Sequence, residues 1–189
     1  MDYSPSEITV TNGATEGIMV TCLALLNPGD EVIIFEPFYD SYPVAINLTG
    51  AKIKVVTLKG PDFEWDSEEL NAAFSDKTKL VILNNPQNPT GRVFSKEELS
   101  ELCQLIKKYD AYVLSDEVYE FLTFEGRRHI PLMTLEGMRE RTITISSAGK
   151  TFGHTGLKVG WVTAAEDVSK AIRMVHQFNV FSVNPHAQY

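Results

Sequence analysis

The chain has 189 residues, of which 43% are hydrophobic and 22% are charged, and its formal net charge is −8. This length allows one domain with a sizeable core, and the acidic balance argues against nucleic acid or an anionic membrane surface as a partner. Apolar runs stay short of the roughly 20 residues of a membrane span, and residues 1–5 lack the basic and apolar regions of a signal peptide.

Cysteine and histidine usage indicates the compartment and the absence of a metal centre. Cys22 and Cys103 lie among apolar residues of predicted helices. Buried free thiols are the default for such positions, which favours a reducing cytoplasm. The four histidines show no spacing typical of metal ligands. We therefore expect a cytoplasmic protein without a metal site.

Apolar runs alternate with helical patterns along the whole chain. The predicted strands are 8–10, 31–36, 52–58, 79–85, 111–116, 141–147 and 157–163, and the predicted helices are 12–26, 41–48, 66–74, 95–109 and 165–178. Asp66 with Glu69, and Ser95 with Glu98, have the spacing of capping boxes. Lysines alternate with apolar residues in 52–58, which is typical of an edge strand. The alternation of strands and helices predicts an α/β three-layer sandwich with a mostly parallel sheet.

Polar and aromatic residues gather where the predicted strands end. Ligands of such sheets bind at the carboxyl ends of the strands. The candidates at these ends are Gly13, Ala14, Thr15, Tyr39, Asn84, Asn88, Asp116, Tyr119, Ser147 and Lys150. The helix after Gly13 begins with free N–H groups that suit an anion, although an ordinary N-cap is the simpler explanation of that turn alone. These candidates come from different strands, so their convergence at one end of the sheet is stronger evidence for a binding site than any single residue.

Lys150 follows a β-branched strand and lies in a run of small residues, SSAGK. A lysine placed there fits either a phosphate-binding P-loop or an amine that bonds to an aldehyde cofactor. The P-loop reading is disfavoured because position 144, where the first glycine should stand, is Thr144. In addition, glycines and another predicted strand follow the lysine, where a P-loop has a helix.

The remaining candidates match a flat aldehyde cofactor that carries a phosphate and a pyridine ring. Such a group needs an amine, a carboxylate for its ring nitrogen, donors for its phenolic oxygen, dipoles for its phosphate and an aromatic stack. Asp116 ends a buried strand, so its carboxylate is expected to be desolvated and to need a cationic partner. Each of these residue types is present among the candidates.

Four motifs carry a resemblance to a known family: TNGATE at 11–16, NPTG at 88–91, SDEVY at 115–119 and SSAGKTF at 146–152. In order and spacing they resemble the class I/II pyridoxal 5′-phosphate (PLP) aminotransferases of fold type I, over essentially the whole chain. The segments EPFYD at 36–40 and GLKVGW at 156–161 are similar to the kynurenine/glutamine and methionine aminotransferase branch.

The resemblance implies roles around the cofactor ring. Lys150 would form the Schiff base and move the proton during amino-group transfer. Asp116 would pair with the pyridine nitrogen, which keeps the ring an electron sink. Asn88 and Tyr119 would hold the phenolic oxygen, and Asn84 would lie beside the ring. Lys150, Asp116 and Tyr119 are thus the implied catalytic residues.

The resemblance also implies the ring stack and the phosphate site. Tyr39 would stack on the ring, and the amides of Ala14 and Thr15, with Ser147 and Lys158, would hold the phosphate. Many family members have arginine where this chain has Lys158, so the charge is kept but the bidentate fork is lost.

Family members also have an N-terminal arm and a C-terminal small domain, which residues 1–189 do not match. We therefore expect a PLP-binding large domain that turns over little substrate alone, from a homodimeric enzyme acting on an amino acid and a 2-oxo acid. The alternatives are a PLP-dependent cysteine-conjugate β-lyase and a non-catalytic PLP-binding regulatory module. The specific amino acid is not readable from these residues.

Overall fold

A seven-stranded sheet organises the computed structural model, which describes residues 2–188. The strands are β1 Ile8–Thr11, β2 Glu31–Glu36, β3 Lys52–Thr57, β4 Thr78–Asn84, β5 Tyr112–Asp116, β6 Thr142–Ser147 and β7 Gly160–Thr163. Their order across the sheet is β1-β7-β6-β5-β4-β2-β3. The strands from β2 to β6 pair in parallel, and β7 runs antiparallel to both of its neighbours. The prediction of a mostly parallel sheet with 52–58 at one edge is confirmed.

The helices cover both faces of this sheet. They are α1 Gly13–Leu25, α2 Ser41–Asn47, α3 Ser67–Ala73, α4 Lys96–Lys108, α5 Ala148–Thr151 and α6 Glu166–Asn179. The adjacent β2 residues Ile33 and Ile34 belong to different cores, because successive side chains of a strand point to opposite faces. One core contains α1, α2 and α6 residues, and the other contains α3 and α4 residues. The three-layer sandwich is therefore confirmed.

Of the two predicted capping boxes, one is complete in the structure and the other is only partly formed. Ser95 and Glu98 form a complete capping box at the start of α4. Asp66 accepts the Glu68 and Glu69 N–H groups at the start of α3, but the Glu69 carboxylate accepts the N–H of Thr57, at 2.7 Å. The Asp66–Glu69 capping box is therefore only half formed, because the Glu69 carboxylate bonds to the neighbouring strand instead of to the backbone N–H of Asp66.

The segment around Lys150 is more structured than predicted. Lys150 lies in the one-turn helix α5, which the Phe152 N–H closes by donating to the Ala148 carbonyl at 2.9 Å. The strand predicted from 157 begins only at Gly160, because a 3-10 turn precedes it and Lys158 has a left-handed backbone with φ of 54°. Small residues permit this compact turn, which extends Lys150 beyond the end of β6. Within residues 2–188, the helices are too short or too polar to cross a bilayer.

Candidate cofactor-binding site

A cavity of about 220 Å³ lies at the carboxyl ends of the parallel strands. All the residues selected from the sequence line it: Gly13, Ala14, Thr15, Tyr39, Asn84, Asn88, Asp116, Tyr119, Ser147, Lys150 and Lys158. One water needs only about 10–15 Å³ of such space, so the cavity is large enough for a small organic molecule. The fold thus gathers at one place residues that are more than 100 positions apart in the chain.

The ends of β4 and β5 form the polar floor of the cavity. Asn84 is paired in register with Asp116, and its side-chain amide donates to the Asp116 carbonyl at 2.9 Å. The other end of the Asn84 amide accepts the backbone N–H of Asn88, at 2.6 Å. Asn84 therefore uses its side chain to connect the two strands and the following turn.

The Asp116 carboxylate is buried, and the described residues give it no cationic partner. Only 4% of the residue is exposed, and the Tyr42 hydroxyl donates to its Oδ2 at 2.7 Å. Burial raises the pKa of Asp116 to about 6, against the lowering effect of the Tyr42 hydrogen bond. Among residues 2–188, no lysine, arginine or histidine forms a salt bridge with it. The expected cation is thus not supplied by the described part of the chain.

Tyr42 keeps this carboxylate oriented. Its burial and the nearby Asp116 carboxylate raise the pKa of the Tyr42 hydroxyl well above the ordinary value, so it remains a hydrogen-bond donor. Its ring meets that of Tyr39 edge to face, with the centroids 5.8 Å apart. Tyr42 was not selected from the sequence. Its position six residues after the end of the predicted strand 31–36 could have indicated it, because ligands of such sheets bind near the carboxyl ends of the strands.

Lys150 and Tyr119 approach each other at the mouth of the cavity. The Lys150 Nζ lies 5.6 Å from the centroid of the Tyr119 ring, within cation–π range. The lysine side chain is exposed, so its amine is accessible to a ligand that enters from solvent. Thr155 also lines the cavity and donates to the Gly149 carbonyl at 3.0 Å. The sequence contained no signal for Thr155, since its role depends on the turn that follows α5.

The start of α1 and Lys158 line one side of the cavity, with groups that suit an anion. Gly13 has a φ of 77°, and the Lys158 Nζ lies 3.3 Å from the point where a Gly13 Cβ would stand. The Asn12 N–H is taken by the Glu16 carboxylate at 2.8 Å. The next N–H groups of a helix have no intrahelical acceptor. Together with the helix dipole and the lysine, these groups suit a phosphate.

Gly160 is expected to be essential for this side of the cavity. A Cβ on Gly160 would lie 2.6 Å from the Gly13 carbonyl carbon and 2.7 Å from the Ala14 nitrogen, closer than atoms can pack. We expect Gly160→Ala to lower the free energy of unfolding by about 1–3 kcal/mol, as overpacking does, and to weaken phosphate-ligand binding because the turn must shift.

Urea unfolding and a ligand titration would measure both effects. Gly156→Ala is the matched control, since a Cβ there meets nothing within 4 Å. Equal behaviour of the two variants would contradict the close approach of β7 to the α1 turn.

The chemistry of the cavity fits PLP. It offers a primary amine, a buried carboxylate to which residues 2–188 supply no cation, aromatic rings, and a helix start with an adjacent lysine. These are the groups that the aldehyde, the protonated pyridine, the ring face and the phosphate of that cofactor require.

Comparison with known proteins gives consistent matches. The family model described as aminotransferase class I and II matches residues 1–189. Kynurenine–oxoglutarate transaminase of Dictyostelium discoideum is 47% identical over 94% of this chain and 45% of its own length. Methionine aminotransferase of Escherichia coli (strain K12) is 45% identical over 98% of this chain and 49% of its own length.

A solved Escherichia coli structure, described as having a methionine aminotransferase function, superposes with a TM-score of 0.95. It is 44% identical and covers 98% of this chain, while the chain covers 50% of it. The chain thus spans about half the length of the relatives that it matches.

Proposed function

The chain belongs to the aminotransferase class I and II family, and on this premise we propose that it is the cofactor-binding part of an aminotransferase. The proposed enzyme moves an amino group from an amino acid to a 2-oxo acid. Members of this family use PLP as cofactor, and they act on these two classes of substrate. The relatives named above support amino-group transfer over β-elimination or a purely regulatory role.

The observation that carries the proposal is the buried Asp116 carboxylate. An ionised carboxylate that is 4% exposed, with no cation from the described part of the chain, is costly in the cofactor-free protein. A protonated pyridine nitrogen would provide the missing charge. The Tyr42 hydroxyl donates to Oδ2 and the Val118 N–H lies 3.4 Å from Oδ1, and since an ionised carboxylate has about four lone-pair sites, it can still accept a hydrogen bond from that nitrogen.

We assign the remaining roles from chemistry. Bound PLP would supply an electron sink for the pair of electrons left at the amino acid Cα. The Nζ of Lys150 would hold the aldehyde carbon and, when displaced by substrate, take the proton from Cα. Asn88 and Tyr119 would donate to the phenolic oxygen. Tyr39 would cover one face of the ring.

The phosphate would be held where α1 begins. The backbone amides of Ala14 and Thr15, the Ser147 hydroxyl and the Lys158 ammonium are the donors that we assign to it. All four residues line the cavity. A phosphate anchored there would leave the ring and the aldehyde to be oriented by Asp116 and Lys150.

The organisation of the whole protein also belongs to this proposal. We propose that residues 1–189 are the large domain of a longer enzyme, which the chain's half-length match to its relatives supports. We propose a homodimer, supported by the exposed Phe152, Phe178 and Phe181 side chains. The buried free thiols of Cys22 and Cys103 support a cytoplasmic location.

Trapping the cofactor tests the proposal directly. The folded chain is mixed with an equimolar amount of PLP, reduced with borohydride and digested, and the modified peptides are identified by mass. We expect one dominant adduct, on Lys150. Adducts spread evenly over surface lysines, or none on Lys150, would contradict the proposed site.

A further inference from the structure

Gln87 lies in the turn after β4, between Asn84 and Asn88, but it does not line the cavity. Only 5% of the residue is exposed, which is unusual for a glutamine. Both ends of its side-chain amide have hydrogen-bond partners, and these partners belong to two different loops.

The chemistry of the partners fixes the orientation of this amide. The Thr90 backbone N–H, which can only donate, lies 3.0 Å from Oε1, and the Thr90 hydroxyl donates to the same oxygen. The Pro37 carbonyl, which can only accept, receives the Nε2 hydrogen. A glutamine supplies both functions at once, whereas a glutamate would present an oxygen to the Pro37 carbonyl.

These bonds connect two segments that contribute to the site. Pro37 stands two residues before Tyr39, which lines the cavity, and Gln87 immediately precedes Asn88, which lines it too. Within residues 2–188, Gln87 is the one residue whose side chain forms a hydrogen bond with the backbone of residues 37–40. In the described part of the chain, the side-chain hydrogen bond between the Tyr39 segment and the Asn88 turn is therefore the one from Gln87.

We propose that Gln87 is a positioning residue, which holds the Tyr39 ring in place relative to the Asn88 amide and so aligns the cavity for the cofactor ring. This inference rests on the proposed function. It assigns Gln87 no contact with the cofactor or with the reacting atoms.

A double-mutant cycle on PLP affinity tests this role, because coupled residues give non-additive effects. The dissociation constant for PLP would be measured by absorbance titration at pH 8 for the protein, Gln87→Glu, Tyr39→Ala and the double variant. Gln87→Glu keeps the acceptor for Thr90 and removes the donor to Pro37. We expect it to weaken binding about tenfold when Tyr39 is present. In the Tyr39→Ala background, we expect less than about a twofold change.

Thr90→Val is the matched control, since it removes the hydroxyl on the Thr90 side and leaves the Pro37 bond. We expect it to retain PLP affinity within about threefold. If Gln87→Glu does not fold, as judged by thermal unfolding without cofactor, Gln87→Met replaces it in the same cycle. Equal losses with and without Tyr39, or no loss from either Gln87 variant, would overturn the inference. Failure of the unsubstituted protein to bind PLP would instead overturn the proposed function.

Discussion

Lys150→Ala is expected to abolish attachment of PLP to the chain and to lower the turnover of the longer enzyme by about 10⁴-fold. Alanine removes both the amine that holds the aldehyde and the base that moves the Cα proton. The folded state should be retained, because the lysine side chain is exposed on the one-turn helix α5. Borohydride trapping, followed by single-turnover kinetics, would measure both losses.

Two other lysines provide controls for this result. Lys158→Ala should weaken PLP binding yet preserve the adduct, because that side chain is assigned to the phosphate. Lys170→Ala removes an exposed charge of α6 outside the cavity and should change neither quantity. Retained turnover in Lys150→Ala would refute the central assignment.

Asp116→Asn is expected to have opposite effects on cofactor binding and on stability. With PLP, loss of the buried charge partner should weaken binding by on the order of 3 kcal/mol. Without PLP, the same change should raise the free energy of unfolding at pH 8 by roughly 3 kcal/mol, because it removes a buried carboxylate whose pKa is raised to about 6. Urea unfolding of both proteins and PLP titration would measure the two effects.

The pH dependence of the free energy of unfolding provides a second test of the buried Asp116 carboxylate. The folded protein holds the Asp116 proton up to a pKa of about 6, above the ordinary value of 3.8. Between these values the folded state binds more protons than the unfolded state, so this contribution to stability falls as pH rises from about 4 to about 6. Asp116→Asn should remove that fall. An unchanged pH profile would mean that Asp116 is not desolvated as the structure indicates.

The architecture was predictable because each element carries its own pattern. The apolar run at 31–36 indicated a strand, and in the structure its residues Ile33 and Ile34 face different cores. The lysines of 52–58 indicated the edge position of β3. The collection of candidate residues in one cavity followed from a general property of parallel sheets, whose carboxyl strand ends share one edge. Their roles remain predictions.

Hydrogen bonds between residues that are far apart in the chain could not be predicted from local sequence patterns. The partner of the Gln87 amide is 50 positions away, and that of the Tyr42 hydroxyl is 74 positions away. The half-formed cap at Asp66 has the same cause, because Glu69 bonds to a strand residue 12 positions earlier. The turn before β7 was misjudged because the left-handed Lys158 interrupts an otherwise strand-like sequence.

The position of β1 at the edge of the sheet constrains the order of assembly during synthesis. The strand that pairs with β1 is β7, so residues 8–11 cannot form their strand pairing until residues 160–163 have been synthesised. Translation at roughly 5–20 residues per second separates the two strands by about 8–30 s. Contacts of such sequence separation form slowly, and the turn that begins α1 directly follows β1. A nascent chain can therefore complete the side of its cavity that α1 lines only after nearly all of these residues have left the ribosome.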